Sequence, residues 1–515
     1  MLALLSMLVG LGACGEQVTP TSTPATDLAD ITLVPFTNQE YGISGVAPDG
    51  WVEVFPGEFL RGMPDADLTL LQHQFVLNIT SEQLIATFVS EQGLKEFPDS
   101  VGSIETAHFT WDLYTVEVKQ PKIGTTTVDI ALAETDAGVY GVALQAMPHE
   151  HDALHEVVFL PAVEAVAPAV ATEETRAAPA EVTLPERTYW PTEGWRSSTP
   201  EEQGMDSELL TEMLTYIREN GVRIDSVTIV RHGYLVLDAY IHSYGKDSKH
   251  ELYSCTKSVT SALVGIAMDQ GHIQSVDQPV LSFFPEWSIG NVDARKEAMT
   301  LEHLLTMTDG LDWVRKDIRF TSSGDTTPEM MQASDWVQFT LDRRMEEEPG
   351  TRWTYNGGAS HLLSAIIQET TGMTALEFAQ EYLFGPLGIS EVVWSGGNQG
   401  RNYGGSGLRM TPHDMAKFGY LYLNEGMWDG EQIVPTAWVK ASTTNHSPSP
   451  QIYYGYQWWV MPWAGYYSAI GARGQYIIVL PELDMVVVFT SDLIPEDQFI
   501  HLLLLAFYVI PSAIS

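Results

Sequence analysis

From Ile31 to Val166, apolar positions come in short blocks broken by polar turns. Leu68–Ile79 reads as a strand, and Thr80-x-x-Gln83 is a capping box that opens a helix through Ser90, with Gly93 as its stop. Thr125–Glu134 and Val139–Met147 are β-rich runs joined by Asp136-Ala137-Gly138, a hairpin signal. His151–Val166 has helical spacing, although Pro161 argues against its second half. These elements predict a small α+β domain over residues 31–167, whose role the sequence does not define. Trp51 and Trp111 suit either a ligand site or the core of that domain. An Ala-, Pro- and Glu-rich stretch, 168–193, reads as a linker.

From 194 to 515 the pattern is that of a full enzyme-sized domain. Val227–Val230 and Tyr234–Tyr240 read as paired strands turning at His232-Gly233. Tyr476–Leu480 and Met485–Thr490 form a second pair, turning over Pro481–Asp484, with long helical patterns between the two pairs. Phe499–Ile510 is very apolar but short and Pro-stopped, which suits a final helix packed on a sheet rather than a membrane span.

Composition narrows the classes. A chain of 515 residues exceeds one ordinary core, so at least two domains are expected. The formal net charge of −41 repels phosphate backbones and argues against nucleic-acid binding. Cys14 and Cys255 are the two cysteines, far apart, so no disulfide framework is expected. No Cys/His cluster has zinc-ligand spacing, and neither a metal nor an organic cofactor is called for.

Leu2–Leu11 is almost wholly apolar and leads into Leu11-Gly12-Ala13-Cys14. Small residues before a cysteine, after an apolar stretch, resemble the lipobox of bacterial lipoproteins. That resemblance implies a signal peptide over 1–13, lipidation of Cys14, a Thr- and Pro-containing tether over 14–30, and an extracytoplasmic, membrane-anchored protein. A basic segment before Leu2 is missing, which places the start codon or the signal itself in question.

Ser-x-x-Lys occurs twice, at Ser243–Lys246 in a polar loop and at Ser254–Lys257. The second opens a helical pattern of Val259, Leu263, Ile266 and Ala267, with Gly271 as its stop. Three residues is nearly one turn, so Ser254 and Lys257 share a face. Free N–H groups at the helix start favour a developing oxyanion. Serine is a poor nucleophile without a base, and Lys257 can serve if desolvation lowers its pKa. Alone, the segment reads better as a capped helix with a surface lysine. A second segment, Pro349–Gly358, sets Tyr355 in a Gly-rich loop before a helix over Ser360–Thr370 closed by Gly372. A third, Ala469–Gln475, brings glycines to a strand start, where backbone can approach a substrate closely.

Together the three segments resemble the penicillin-recognising serine hydrolases, most closely the class C β-lactamase-like family with its esterases, D-amino peptidases and 6-aminohexanoate-dimer hydrolases. His303–Leu311, Gly407-Leu408 with Asp414–Gly419, and Tyr454–Trp459 extend the likeness over residues 194–515. The resemblance implies an α/β fold, a sheet domain with a helical domain and the active site between them. It implies an acyl-enzyme on Ser254, with Lys257 and Tyr355 as acid/base pair. Gly471 and Ala472 are the candidates for completing an oxyanion hole, and Asn356 and Arg473 the candidates for binding substrate. Two positions depart from the family pattern: Gly357 stands where Asn is usual, and Ala469 where Lys or His is usual. Both departures leave hydrolysis of a small ester or amide intact and place β-lactam recognition in doubt. The rival readings are a cell-wall peptidase or lactamase-like enzyme and a decayed binding protein. His361, Trp353 and Tyr253 suit either the pocket or the core, and Cys255 reads as a buried bystander.

Overall fold

The computed structural model describes residues 28, 31–38, 42–63, 67–77, 79–91, 99–120, 124–169, 187–242, 244–314, 326–397, 399–449, 452–494 and 500–514. Cys14 with the apolar leader, Gly93 and Ser243 lie outside them. The chain forms two compact units: 1–180 with 207–222 and 499–515, and 181–206 with 223–498.

In the first unit, β1 (Leu33–Asn38) and β2 (Ile43–Pro48) form a small sheet with a short strand at Ala167–Pro168. Beside it runs a seven-stranded antiparallel sheet. It comprises β3 (Val52–Phe55), β4 (Glu58–Leu60), β5 (Leu70–Leu77), β6 (Gly102–Glu105), β7 (Thr110–Gln120), β8 (Gly124–Thr135) and β9 (Gly138–Ala146), in the order β3-β4-β5-β9-β8-β7-β6. The capping box forms: Thr80 N–H donates to Gln83 Oε1 (3.0 Å) and Gln83 N–H to Thr80 Oγ1 (3.3 Å), opening α1 (Ser81–Glu91). Trp111 is fully buried in the core.

The helix at His151 runs on to Ala165, through Pro161, against the expectation from sequence. A widened π turn over His155–Phe159 stands just ahead of the proline. A local change of helical pitch of this kind accommodates the missing N–H and the ring. Two segments from beyond residue 194 also belong to this unit: α2 (Ser207–Glu219) and the helical run Ile500–Ile514. Their rings meet at Tyr216 and Tyr508, 6.2 Å apart.

The second unit is built on a six-stranded antiparallel sheet of β10 (Ile224–Arg231), β11 (Tyr234–Tyr240), β12 (Trp459–Met461), β13 (Tyr466–Gly471), β14 (Gln475–Leu480) and β15 (Met485–Ser491). Its order is β11-β10-β15-β14-β13-β12, so the first and last segments of the unit pair in its middle. The β10–β11 turn places His232 (φ 51°) and Gly233 (φ 85°) in the left-handed region that a two-residue hairpin requires. Helix α3 (Thr256–Asp269) is buried on nearly every side and packs on α4 (Gly357–Thr371). A helix buried on nearly every side belongs inside a unit, and its polar side chains there are hydrogen-bonded, as Thr260 is to Gly404 and Ser258 to Gln457. Helix α5 (Pro412–Leu423) lies on the sheet at Gly419, where an added Cβ would come within 2.6 Å of Val486.

The stretch read as linker is ordered at its end. Arg187 pairs with Asp484 (2.5 Å), and Trp190 packs on Trp428 (ring centroids 5.3 Å). Tethering this entry segment to the turn after β14 makes residues 187–193 part of this unit. No helix among the described residues is long and apolar enough to cross a membrane.

Candidate active site

The chain enters the site through a short strand, His250–Glu251, paired with Leu408–Met410. Tyr253–Cys255 then make a single 3-10 turn that runs directly into α3. Tyr253 takes φ 46°, which is costly for a bulky residue and aims the next side chain sharply. That residue is Ser254, half-buried at the helix start. Lys257, one turn on, is buried, and its Nζ donates to Ser254 Oγ (3.2 Å) and to the Gly405 carbonyl (2.7 Å). The same Nζ sits 4.8 Å from the centre of the Tyr355 ring. Ser254, Lys257 and Tyr355 are thus brought together from segments about a hundred residues apart.

Tyr355 is held from both sides by one residue. Thr354 N–H donates to the Met307 carbonyl (2.8 Å), and Asn356 N–H to Met307 Sδ (3.2 Å). Met307 itself is in the left-handed region (φ 60°). The tyrosine ring lies in an aromatic wall with Trp353, Tyr454 and Trp459, stacked on Trp459 at 6.2 Å.

Asn356 does not face a substrate. It is fully buried and caps α4: its Oδ1 accepts from Gly358 N–H (2.8 Å) and Ala359 N–H (3.1 Å). Its Nδ2 donates to Asp309 Oδ1 (3.0 Å). A side chain occupied in this way fixes the tyrosine loop and corrects the substrate-binding role expected for it. Burial pushes the Asp309 carboxyl up to about 6. Gly357, in the position where the family pattern usually carries Asn, is crowded: an added Cβ would lie 2.7 Å from Tyr403 Oη and 3.1 Å from Thr327 Oγ1, so those side chains would have to move.

Gly471 ends β13 against the nucleophile turn. An added Cβ there would fall 2.2 Å from the Leu252 carbonyl oxygen, so glycine is what permits the contact. Cys255 is buried beneath it, its Sγ 3.4 Å from the Gln475 carbonyl, and burial raises its thiol far out of the reactive range. Ala472 is half-buried at the start of the loop to β14. Ala469 points into the core. Arg473 is exposed, and its guanidinium pairs with Asp492, which also pairs with Arg223. The guanidinium of Arg473 thus turns to Asp492 at the surface. His361 is buried between Trp336 and Tyr403, and burial pulls its imidazole down to about 3, as for a neutral core residue.

Two supports escaped the sequence reading. Gly404 and Gly405 receive Thr260 Oγ1 (2.9 Å) and Lys257 Nζ (2.7 Å) on their carbonyls. The signal was the run Asn402-Tyr403-Gly404-Gly405-Ser406-Gly407. Gln457, in the left-handed region (φ 64°), joins three helical segments. Its carbonyl accepts from Ser258 Oγ (2.7 Å), its Oε1 from Ser360 Oγ (2.7 Å), and its Nε2 donates to Leu305 O (2.9 Å).

A serine with a buried lysine one turn behind it, a clamped tyrosine, and a glycine strand end against the same turn make an arrangement suited to acyl transfer. The beta-lactamase family model matches residues 202–501, more than half of the chain. The chain belongs to that family, and it is a serine hydrolase of the β-lactamase fold. It is 24% identical to the 6-aminohexanoate-dimer hydrolase of Paenarthrobacter ureafaciens over 285 residues, 52% of this chain and 72% of that protein. It is 26% identical to an uncharacterised protein of Alkalihalophilus pseudofirmus, over 53% of this chain and 85% of the other. The solved structure described as "Putative 6-aminohexanoate-dimer hydrolase from Bacillus anthracis" covers 64% of this chain and 90% of its own at 20% identity, with a TM-score of 0.52. The β-lactamase/transpeptidase-like α/β fold expected from sequence is the fold found.

Proposed function

We propose that the protein hydrolyses a small ester or linear amide through an acyl-enzyme on Ser254. The observation that carries this reading is the Lys257 Nζ at 3.2 Å from Ser254 Oγ, over the face of Tyr355. Ser254 Oγ adds to the substrate carbonyl carbon while its proton passes to the Lys257/Tyr355 pair. The tetrahedral oxyanion takes hydrogen bonds from the backbone N–H groups of Ser254 and Ala472. Collapse expels the alcohol or amine, which takes up the proton held by the pair. Water then adds to the acyl carbon, giving the pair a proton that returns to Ser254 as the acid leaves. The Trp353, Tyr454 and Trp459 wall favours an apolar group beside the reacting carbonyl.

β-Lactams are poor substrates on this reading. A cephalosporin carboxylate calls for a cationic or strongly donating side chain, yet Ala469 is apolar and buried, and Arg473 is held by Asp492. Each missing polar contact costs about 1.5–3 kcal/mol, roughly ten- to a hundred-fold in rate. The test compares kcat/KM for p-nitrophenyl butyrate, a D-amino amide and nitrocefin. Ester turnover far above nitrocefin turnover is expected, whereas equal or faster nitrocefin turnover overturns the assignment. The protein acts at the cell envelope, anchored by lipid on Cys14.

A further inference from the structure

We propose that Asp129, His151 and His155 form a binding site for a divalent transition metal of the zinc class in the first unit. Their ligand atoms lie within 4.8 Å of one another, and Asp129 Oδ2 is 2.8 Å from both His151 Nε2 and His155 Nδ1. The two histidines are four residues apart, one turn along the same helical face, and Asp129 rises from β8 opposite them. Two imidazoles and a carboxylate suit zinc and its neighbours, with bonds of about 2.0–2.2 Å. Tetrahedral bonds of that length put ligand atoms about 3.3 Å apart, so each 2.8 Å contact from Asp129 Oδ2 needs to open by about half an ångström.

The hydrogen bonds around the trio favour a cation at its centre. His151 Nδ1 is 3.1 Å from Asp152 Oδ1, and its Nε2 is 2.8 Å from Asp129 Oδ2. Both ring nitrogens of His151 thus face carboxylate oxygens, and a neutral imidazole, with one N–H, satisfies only one of them. Thr115 Oγ1 donates to the other carboxylate oxygen, Asp129 Oδ1 (2.7 Å). That outer bond fixes the carboxylate with Oδ2 toward the histidines, as partners of metal ligands commonly do. Asp129 is 1% exposed while His151 and His155 are 15% and 28% exposed, so a fourth position opens to solvent. The bound ion would cross-link the helix at His151 to β8. Spacing along the sequence hides the site because the third ligand lies 22 residues before His151.

The test uses full-length protein stripped with chelator and titrated with Zn2+ against a chromophoric competitor. One zinc per chain is expected. His155→Ala should weaken binding by more than about 100-fold, and Thr115→Val by about 10- to 100-fold, while His149→Ala leaves it unchanged. A measurement without variants accompanies it: zinc should protect His151 and His155, but not His149, from diethylpyrocarbonate, mapped by peptide mass spectrometry. Absence of zinc binding, undiminished binding in a folded His151→Ala/His155→Ala protein, or equal modification with and without zinc overturns the proposal. Each of those results leaves the trio a hydrogen-bonded histidine–carboxylate cluster.

Discussion

Replacing Lys257 by Met separates chemistry from architecture. Met has nearly the same length and shape but can neither accept a proton nor donate a hydrogen bond. If Lys257 is the base toward Ser254, kcat/KM falls by about 10^2- to 10^4-fold, or ~3–5 kcal/mol of transition-state stabilisation. Stability should behave differently. Losing the Lys257 bond leaves the Gly405 carbonyl without that donor, a cost of about 1–3 kcal/mol. Against this, a buried amine that is expensive to desolvate gives way to an apolar side chain. The two effects nearly cancel, so Tm should stay within roughly 4 °C of wild type or rise. The assays are p-nitrophenyl butyrate hydrolysis and differential scanning calorimetry on the same preparation. Activity within tenfold of wild type would refute the base assignment. A Tm loss beyond about 8 °C in step with lost activity would make Lys257 a structural residue instead.

Asp309→Asn tests the buried carboxyl behind the tyrosine loop. Its folded pKa, about 6 against an ordinary 3.8, means that the folded state holds an extra proton between those values. The associated stability is present below about pH 4 and lost as pH rises through about 6, up to ~3 kcal/mol. An amide at this position does not titrate, so the stability difference between pH 4.5 and pH 7.5, followed by denaturant melts, should shrink relative to wild type; an unchanged difference refutes it. Gly471→Ala forces the Leu252 carbonyl away from a Cβ that would sit 2.2 Å from it. Shifting the Ser254 turn by several tenths of an ångström or more should cut kcat by about 100-fold, with about 1–3 kcal/mol of stability lost; wild-type kinetics would contradict the close approach. Arg473→Ala should leave ester turnover within about threefold of wild type, since the guanidinium is committed to Asp492; a large loss would restore it to the site. Cys14→Ser should abolish detergent partitioning of protein made in a bacterial host, and an unmodified thiol at Cys14 in membrane-grown wild type would overturn the lipid anchor.

The hairpins at His232-Gly233, Asp136-Ala137-Gly138 and Pro481–Asp484 were legible because each couples strand alternation to turn chemistry in a few adjacent residues. Ser254 and Lys257 were legible for the same reason, as one helical turn reports their common face. What sequence could not provide is direction. Asn356 lies in a motif-bearing loop, and nothing local says that its amide turns inward to cap α4 and hold Asp309. Gln457 draws its meaning from Ser258, Ser360 and Leu305, all distant in sequence. Pro161 misled because the π turn ahead of it has no period that a helical pattern detects. Residues 187–193 looked like linker because composition does not show that Arg187 finds Asp484 nearly three hundred residues later.

Acylation of Ser254 is the step on which the proposed hydrolysis depends. Full-length protein treated with a fluorophosphonate probe should gain one adduct, mapped by peptide mass spectrometry to Ser254. Ser254→Ala should abolish it, while Ser243→Ala, which alters the other Ser-x-x-Lys, should label as wild type does. An adduct at any other residue, or labelling undiminished in a folded Ser254→Ala protein, would contradict it.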